Sequence, residues 1–297
     1  MIFPLCWLKM RSSVLNDSRI SRLVELALLE DASMGDVTSE AIVPEHHLSA
    51  GAFLCKGEGV VAGLDVADLV FRHCASGITL EPIVQDGKPV APGVIIARLQ
   101  GSTRGILLGE RTALNFLQRM SGIATLTRRY VDAVAGTRTA ITDTRKTVPG
   151  LRVLDKLAVR LGGGVNHRFG LDDMVLIKDN HKVAAGSITR AVHLCHRYLS
   201  EKELGLKIEV ETTTLDEVQE ALACQGIQRI MLDNFPLEEM RQAVALVNGR
   251  VQLEASGGIT LESVRSVAET GVDIISVGAL THSPPALDIS LELASHA

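Results

Sequence analysis

The chain has 297 residues, 46% hydrophobic and 22% charged, with a formal net charge of -5 at pH 7. That length supports a sizeable core and more than one domain, and the acidic balance argues against a nucleic-acid binder, whose surface would be dominated by cations. Cys6, Cys55, Cys74, Cys195 and Cys224 are scattered and never spaced as CxxC, so neither a disulfide framework nor a zinc knuckle is expected, which fits a reducing cytoplasm.

In the opening MIFPLCWLK, the basic residues Lys9 and Arg11 follow the apolar run instead of preceding it, unlike a secretory signal. Residues 1–17 are expected to be a disordered or loosely attached lead, with Met10 as an alternative start. No other apolar run approaches the roughly 20 residues of a membrane helix, so a protein without membrane association is expected. Asp17 or Ser18 caps a predicted helix through ISRLVELALLED, with Ile20, Leu23, Leu26 and Ala27 on one face, and Gly35 ends that region. From about Leu48 to Gly101, the β-like runs AGAFLCK, VVAG, ITLEPIV and VIIARL alternate with the turn signals QDGKP and APG. One helical stretch, GLDVADLVFRHCAS, lies among them, with Asp65 and Asp68 read as a cap and a solvated face. A long helical region follows from Ile106, interrupted at Gly122 and closed by Gly136.

Beyond Gly136 the chain repeats a short β-branched run, a polar loop and an amphipathic helix. The runs are TAITDT, GVNHR, MVLIKD, LKIEVE, RIMLDN, VQLEAS and DIISVG. The helices are built around RVLDKLAVRL, SITRAVHLCHRYL, LDEVQEALACQ, LEEMRQAVALV and LESVRSVAE. This alternation predicts an α/β fold with a parallel sheet and right-handed crossovers, and seven such strands suggest a β/α barrel short of the usual eight.

Three runs end in charge, as barrel strands do when their carboxyl ends face a site. Arg145, Lys146, Arg168 and Lys178, with His167 beside them, are too much positive charge to bury unless an anionic ligand neutralises it. Glu211 and Asp233 end two further strands and face the same mouth. Carboxylates beside an anionic ligand make electrostatic sense if they hold a metal or face positive charge that develops during reaction. LEASGGI and ISVGALTH supply Ser256, Gly257, Gly258 and Gly278, whose backbone N–H groups and one hydroxyl suit a phosphate at the last two barrel loops. His193, Cys195 and His196 lie on an outer helix and read as surface or packing residues.

These residues resemble the quinolinate phosphoribosyltransferase family. The motifs are LLEDASMGDVTSEAIV, GERTALNFLQRMSGIAT, DTRKTVPGLR, GGGVNHRFGLDDMVLIKDNH, IEVE, IMLDNF, LEASGGI and ETGVDIISVGALTHS, in that order over nearly the whole chain. The resemblance implies an N-terminal α+β open sandwich, residues 18–115, and a C-terminal incomplete β/α barrel of about seven strands, residues 116–297, with a final helix packing back on the first domain. It implies transfer of the phosphoribosyl group of phosphoribosyl pyrophosphate to quinolinate with decarboxylation, giving nicotinate mononucleotide. It assigns Arg111, Arg145, His167, Arg168 and Lys178 to quinolinate, and Lys146, Lys178, Ser256, Gly257, Gly258 and Gly278 to the phosphoribosyl donor. Glu211 and Asp233 go to ribose and Mg2+, with Lys146, Glu211 and Asp233 as the catalytic set. It also implies a homodimer in which Arg111 crosses to the neighbouring subunit's site; whether dimers assemble further into a hexamer is open at this point. Two alternatives compete with this reading: a Schiff-base aldolase using Lys178, and a paralogue that binds an oxyanion or phosphorylated ligand without turnover.

Overall fold

The computed structural model of the chain describes Val14 and residues 16–294. Most of the amino-terminal lead therefore lies outside the described residues. The chain divides into two compact units: the described parts of Met1–Arg128, Val148–Gly163 and Ser283–Ala297 form the first, and Arg129–Thr147 with Gly164–His282 the second.

In the first unit, helix α1 (Ser18–Ala32) starts at Asp17, whose carboxylate accepts the Arg19 amide. It buries Ile20 and Val24, one turn apart, and leaves Leu26 53% exposed. The inward face is thus rotated from the expected set of Ile20, Leu23, Leu26 and Ala27. After the short helix α2 (Val37–Ile42), strands β1 (Leu48–Cys55), β3 (Thr79–Pro82) and β5 (Ile95–Ser102) form an antiparallel sheet. β2 (Gly59–Val60) and β4 (Pro89–Val90) pair separately. The sheet's fourth strand is β12 (Ile289–Leu293), which pairs with β1 where the sequence suggested a closing helix. Pro284 and Pro285 stop the preceding Ala279–His282 helix from continuing, and the alternating DISLEL that follows suits a sheet edge.

Helix α3 (Leu64–Cys74) is buried from Leu64 through Phe71, and Asp65 and Asp68 are buried with it instead of facing solvent. Asp68 survives this because Arg72 donates to it at 3.0 and 3.2 Å. The cap of α3 comes from elsewhere: Asp86, in the QDGKP turn, accepts the Gly63 and Leu64 amides at 3.0 and 3.2 Å. Helix α4 (Thr103–Ala133) runs unbroken through Gly122. A side chain there would meet the Pro285 carbonyl oxygen at 2.1 Å, so this glycine serves close packing and does not interrupt the helix. Helix α5 (Arg152–Leu161), which the alternating pattern reads as a barrel crossover, belongs to the first unit. Arg119 of α4 holds its buried Asp155 through two bonds of 3.0 and 2.8 Å.

The second unit is an α/β incomplete barrel. Six strands lie parallel in the order β6 (Ala140–Thr142), β11 (Ile274–Ser276), β10 (Gln252–Ser256), β9 (Arg229–Asp233), β8 (Ile208–Thr212) and β7 (Val175–Ile177). The seventh run, GVNHR, contributes a single bridge between Thr142 and Val165. Its polar residues turn onto Asp143, whose carboxylate accepts the His167 amide at 2.9 Å and the Asn166 side chain at 2.6 Å. A side chain thereby takes the place of the strand ladder. Helices α6 (Asp179–Ala185), α7 (Ile188–Glu201), α8 (Leu215–Ala223), α9 (Leu237–Val247), α10 (Val264–Ala268) and α11 (Ala279–His282) accompany the strands. Among the described residues no helix is long and apolar enough to cross a membrane.

Candidate active site

The strand ends of the second unit surround a cavity of about 450 Å³, lined by Arg145, Lys146, His167, Arg168, Lys178, Glu211, Asp233 and Ser256. These residues lie on six segments of the chain and meet because parallel strands deliver their carboxyl ends to one side. Thr144, Leu176, Met231, Glu254 and Ser276 complete the wall. Gly278 adjoins it, since a Cβ there would meet the Lys146 side chain at 3.0 Å. Arg111 lies exposed on α4 in the first unit and is not among the lining residues.

The DTRK and NHR loops are tied together by the Asp143 bonds, which set Arg145 and Arg168 in one wall. Burial, and then the charge of Arg145, hold the Arg168 guanidinium below its usual range. Arg168 also donates to the Met174 carbonyl at 3.0 Å. Arg145 Nε is buried and has no hydrogen-bond partner in the structure. Two crowded guanidinium groups, one with an unmatched buried N–H, suit a ligand carrying two carboxylates.

Lys178 follows β7 and reaches the mouth, where its ammonium pairs with the Glu211 carboxylate. The rest of its motif is structural. His181 accepts the Lys178 amide at 2.9 Å, and Lys182 joins Asp179 at 2.8 Å and Glu217 at 2.9 Å, fastening α6 to α8. The four lining cations are accompanied by three lining carboxylates, Glu211, Asp233 and Glu254, so the mouth is less one-sided in charge than the strand-end cations alone imply. A Schiff-base lysine sits in a desolvated pocket; the Lys178 side chain is 47% exposed and carboxylate-paired.

Asp233 ends β9 and is followed by Asn234, which has a left-handed backbone (φ 57°) and donates to the Asp233 carboxylate at 3.0 Å. Gly257 and Gly258 also have positive φ, 97° and 59°. A Cβ on Gly257 would meet Asn234 Oδ1 at 2.2 Å, whereas one on Gly258 would meet nothing. The loop is thus pinned at its first glycine and open above its second, where a phosphate oxygen can approach the backbone.

Beneath the cavity lies a buried group that strand-end reasoning passes over. His167 Nε2 is 3.1 Å from Glu209 and 3.4 Å from Glu254, and both carboxylates are fully buried. Burial favours the neutral ring, but hydrogen bonding to Glu209 and Glu254 outweighs it and pushes His167 up to about 9. The Arg168 amide opposes this by donating to Nδ1 at 2.8 Å, because a second ring proton would have to turn that amide away. Burial and the Glu254 charge push the Glu209 carboxyl up. Burial also acts on Glu254, yet His167 and Arg229 draw it below the usual carboxylate range.

Glu211 and Asp233 are hard oxygen donors, as Mg2+ prefers, and among the described residues they gather no third protein ligand. Among the described residues the one cluster of three candidate ligand atoms within 4.8 Å is His167, Glu209 and Glu254. His193, His196 and Cys224 line a separate depression of about 530 Å³ on the outer helices without forming such a cluster. His196 spends its Nε2 on the Gln225 carbonyl at 2.8 Å.

A parallel β/α barrel with paired arginines, two lysines, two strand-end carboxylates and a glycine loop defines an enzyme class that works on polyanionic substrates. The chain matches the quinolinate phosphoribosyl transferase N-terminal domain over residues 36–121 and the C-terminal domain over residues 123–292. It is 47% identical over 289 residues to a chloroplastic nicotinate-nucleotide pyrophosphorylase (carboxylating) of Arabidopsis thaliana, covering 92% of this chain and 82% of that one. It is 44% identical over 269 residues to a probable nicotinate-nucleotide pyrophosphorylase (carboxylating) of Synechocystis, covering 90% of each. The solved nicotinate-nucleotide pyrophosphorylase of Francisella tularensis superposes with a TM-score of 0.88 at 40% identity, covering 93% of this chain and 96% of that one. The chain belongs to the quinolinate phosphoribosyl transferase family.

Of the family-assigned residues, the cavity brings together Arg145, Lys146, His167, Arg168, Lys178, Glu211, Asp233 and Ser256. Sequence reasoning missed Glu209, Glu254, Arg229 and Asn234. The first three carry a legible signal, since a charged residue inside an apolar barrel strand has to find buried partners. Asn234 carries none beyond its place after a strand-end acid.

Proposed function

We propose that the protein transfers the phosphoribosyl group of phosphoribosyl pyrophosphate to quinolinate and releases pyrophosphate, CO2 and nicotinate mononucleotide. The observation that carries this reading is that Arg145 and Arg168, close enough to repel each other, line one cavity with the strand-end acids Glu211 and Asp233, the Arg145 Nε–H being buried and unmatched. Arginine forks match the two adjacent carboxylates of the pyridine, while Lys146 and Lys178 act as point charges toward carboxylate or pyrophosphate. Ser256, Gly257, Gly258 and Gly278 cradle the 5-phosphate. The ring nitrogen attacks the anomeric carbon as the bond to pyrophosphate breaks, and Glu211 and Asp233 face the positive charge that builds on ribose. The ribosylated ring is cationic, so it takes up the electron pair of the C–CO2 bond when the 2-carboxylate leaves, and a proton then fills that carbon.

Glu211 and Asp233, both hard oxygen donors, would hold Mg2+, which would supply charge neutralisation toward the departing pyrophosphate. Arg111 is read as reaching the site of a second copy in a homodimer that can assemble further into a hexamer. Its exposure on α4, and the exposed apolar residues Leu29, Met34, Val37 and Ile42 of the same unit, support that assembly. Cytoplasmic placement is supported by the four described cysteines, all free.

Simultaneous measurement of CO2 and pyrophosphate release tests the proposal. Quinolinate should yield both in equal amounts and nicotinate neither, with loss of turnover on chelation of Mg2+. A protein that binds these anions without turnover, or that turns over nicotinate equally well, would contradict it.

A further inference from the structure

The buried charges under the cavity follow from the pleat of the barrel strands. Side chains two apart on a strand share a face. Glu209 therefore lies one layer below Glu211 on β8, and Glu254 one layer below Ser256 on β10. Arg229 lies on β9 between them, in register with Glu209 on one side and Gln252 on the other. This layer contains two fully buried carboxylates, which is costly unless each is matched. Arg229 approaches Glu254 to 2.8 Å but Glu209 only to 3.8 Å. Among the described residues the shortest ion-pair approach to Glu209 is that of the His167 ring, at 3.1 Å.

His167 links this floor to the substrate wall. Its Nε2 faces the two carboxylates, its Nδ1 accepts the Arg168 amide at 2.8 Å, and its own amide is held by Asp143 at 2.9 Å. Both ring nitrogens are thus directed at protein groups. A metal ion on His167, Glu209 and Glu254 would have to share the site with the Arg229 guanidinium already on Glu254, so a ring N–H suits the carboxylates better than a cation would.

Resting on the phosphoribosyl transfer read above, we infer that Glu209 and Glu254 are positioning residues that turn the His167 Nε2–H toward the barrel floor. His167 then serves quinolinate by holding the Arg168 backbone in place and not by contact. The contacts of His167 Nε2 with Glu209 and Glu254 are ion-pair approaches at 3.1 and 3.4 Å, and both Glu209 oxygens and Glu254 Oε1 are buried without a geometrically formed hydrogen bond, so a ring N–H turned toward them meets acceptors with capacity to spare.

Two measurements test this. Nitrogen-15 NMR of the histidine-labelled wild-type protein should place hydrogen on His167 Nε2 and leave Nδ1 bare above about pH 9, where the ring is neutral, with the second proton arriving only as pH falls; an Nδ1–H tautomer of the neutral ring overturns the inference, and the experiment needs no variant and no turnover. In steady-state kinetics, Glu254→Gln and Glu209→Gln should raise the KM for quinolinate about tenfold, with kcat and the KM for phosphoribosyl pyrophosphate within about twofold. His167→Gln, whose amide N–H can still donate to the floor, should stay nearer to wild type in quinolinate KM than His167→Leu. Folded Glu254→Gln and Glu209→Gln proteins with unchanged kinetics overturn the inference while leaving the function intact. A wild-type protein inactive on quinolinate overturns the function itself, whatever the tautomer.

Discussion

Lys178 and Glu211 stand on neighbouring barrel segments and form an ion pair across the mouth of the cavity, the lysine half exposed and the glutamate side chain only 10% exposed. Two residues of opposite assigned roles, an anion binder and a carboxylate facing developing positive charge, thus restrain each other. Glu211→Gln removes the carboxylate and releases the ammonium together. Its kcat should fall about 100-fold or more, while the KM for quinolinate stays level or drops. Steady-state kinetics of the variant decides this, and an unchanged kcat would remove Glu211 from the chemistry.

The two arginines should answer to substitution in a different constant. Arg145→Ala and Arg168→Ala should each raise the KM for quinolinate by about 10- to 100-fold, in line with roughly 1.5–3 kcal/mol for a charge-assisted hydrogen bond. Lysine at either position should rescue little, because it lacks the planar fork. Arg168→Ala should also lower stability by about 1 kcal/mol, since it gives up the Met174 carbonyl. Denaturant titration beside the kinetics separates the two effects.

Asn234 combines a left-handed backbone with a hydrogen bond to Asp233, and substitutions can divide these contributions. Asn234→Gly keeps the conformation and loses the donor, so activity should fall about tenfold with the melting temperature nearly unchanged. Asn234→Ala keeps the Cβ in the left-handed region but loses the local side-chain hydrogen bonding that lets asparagine tolerate it, and should in addition destabilise the protein by about 1 kcal/mol. Equal stability of the two variants would show that the loop relaxes freely.

The fastening of α6, the helix that follows Lys178, should make stability sensitive to acid. Burial works against the Glu217 charge, but Lys182 and the Thr213 amide hold its carboxyl below the usual range. A depressed carboxyl contributes stability that is present above the unfolded value of about 4.3 and is lost as pH falls through the folded value. Glu217→Gln should therefore be less stable than wild type by roughly 1–2 kcal/mol at pH 7, with the gap closing below about pH 4. Urea denaturation of both proteins across pH 3–7 measures it, and a constant gap would assign the loss to packing.

Much of the barrel could be read in one dimension because its strands are short, apolar and end in chemistry. TAITDT, MVLIKD, LKIEVE, RIMLDN, VQLEAS and DIISVG all became strands, and the charges at their ends met around one cavity. The GVNHR run misled because period and β-branching say nothing about whether a side chain such as Asp143 will capture the backbone first. The face of α1 and the capping of α3 by Asp86 were illegible for the same reason, since each depends on a partner distant in the chain, whereas buried Asp68 is matched by Arg72 only four residues on.

The amino-acid sequence by itself determined which residues carry charge at strand ends, and hence that a multiply anionic substrate is handled by arginines, lysines and two acids. Those facts follow from local alternation and from where each apolar run stops. Tertiary structure alone decided how the charges are matched: Lys178 against Glu211, and His167 against two carboxylates one pleat lower. Coulomb attraction and hydrogen bonding depend on separation in space, and the barrel brings together groups that the chain keeps tens of residues apart.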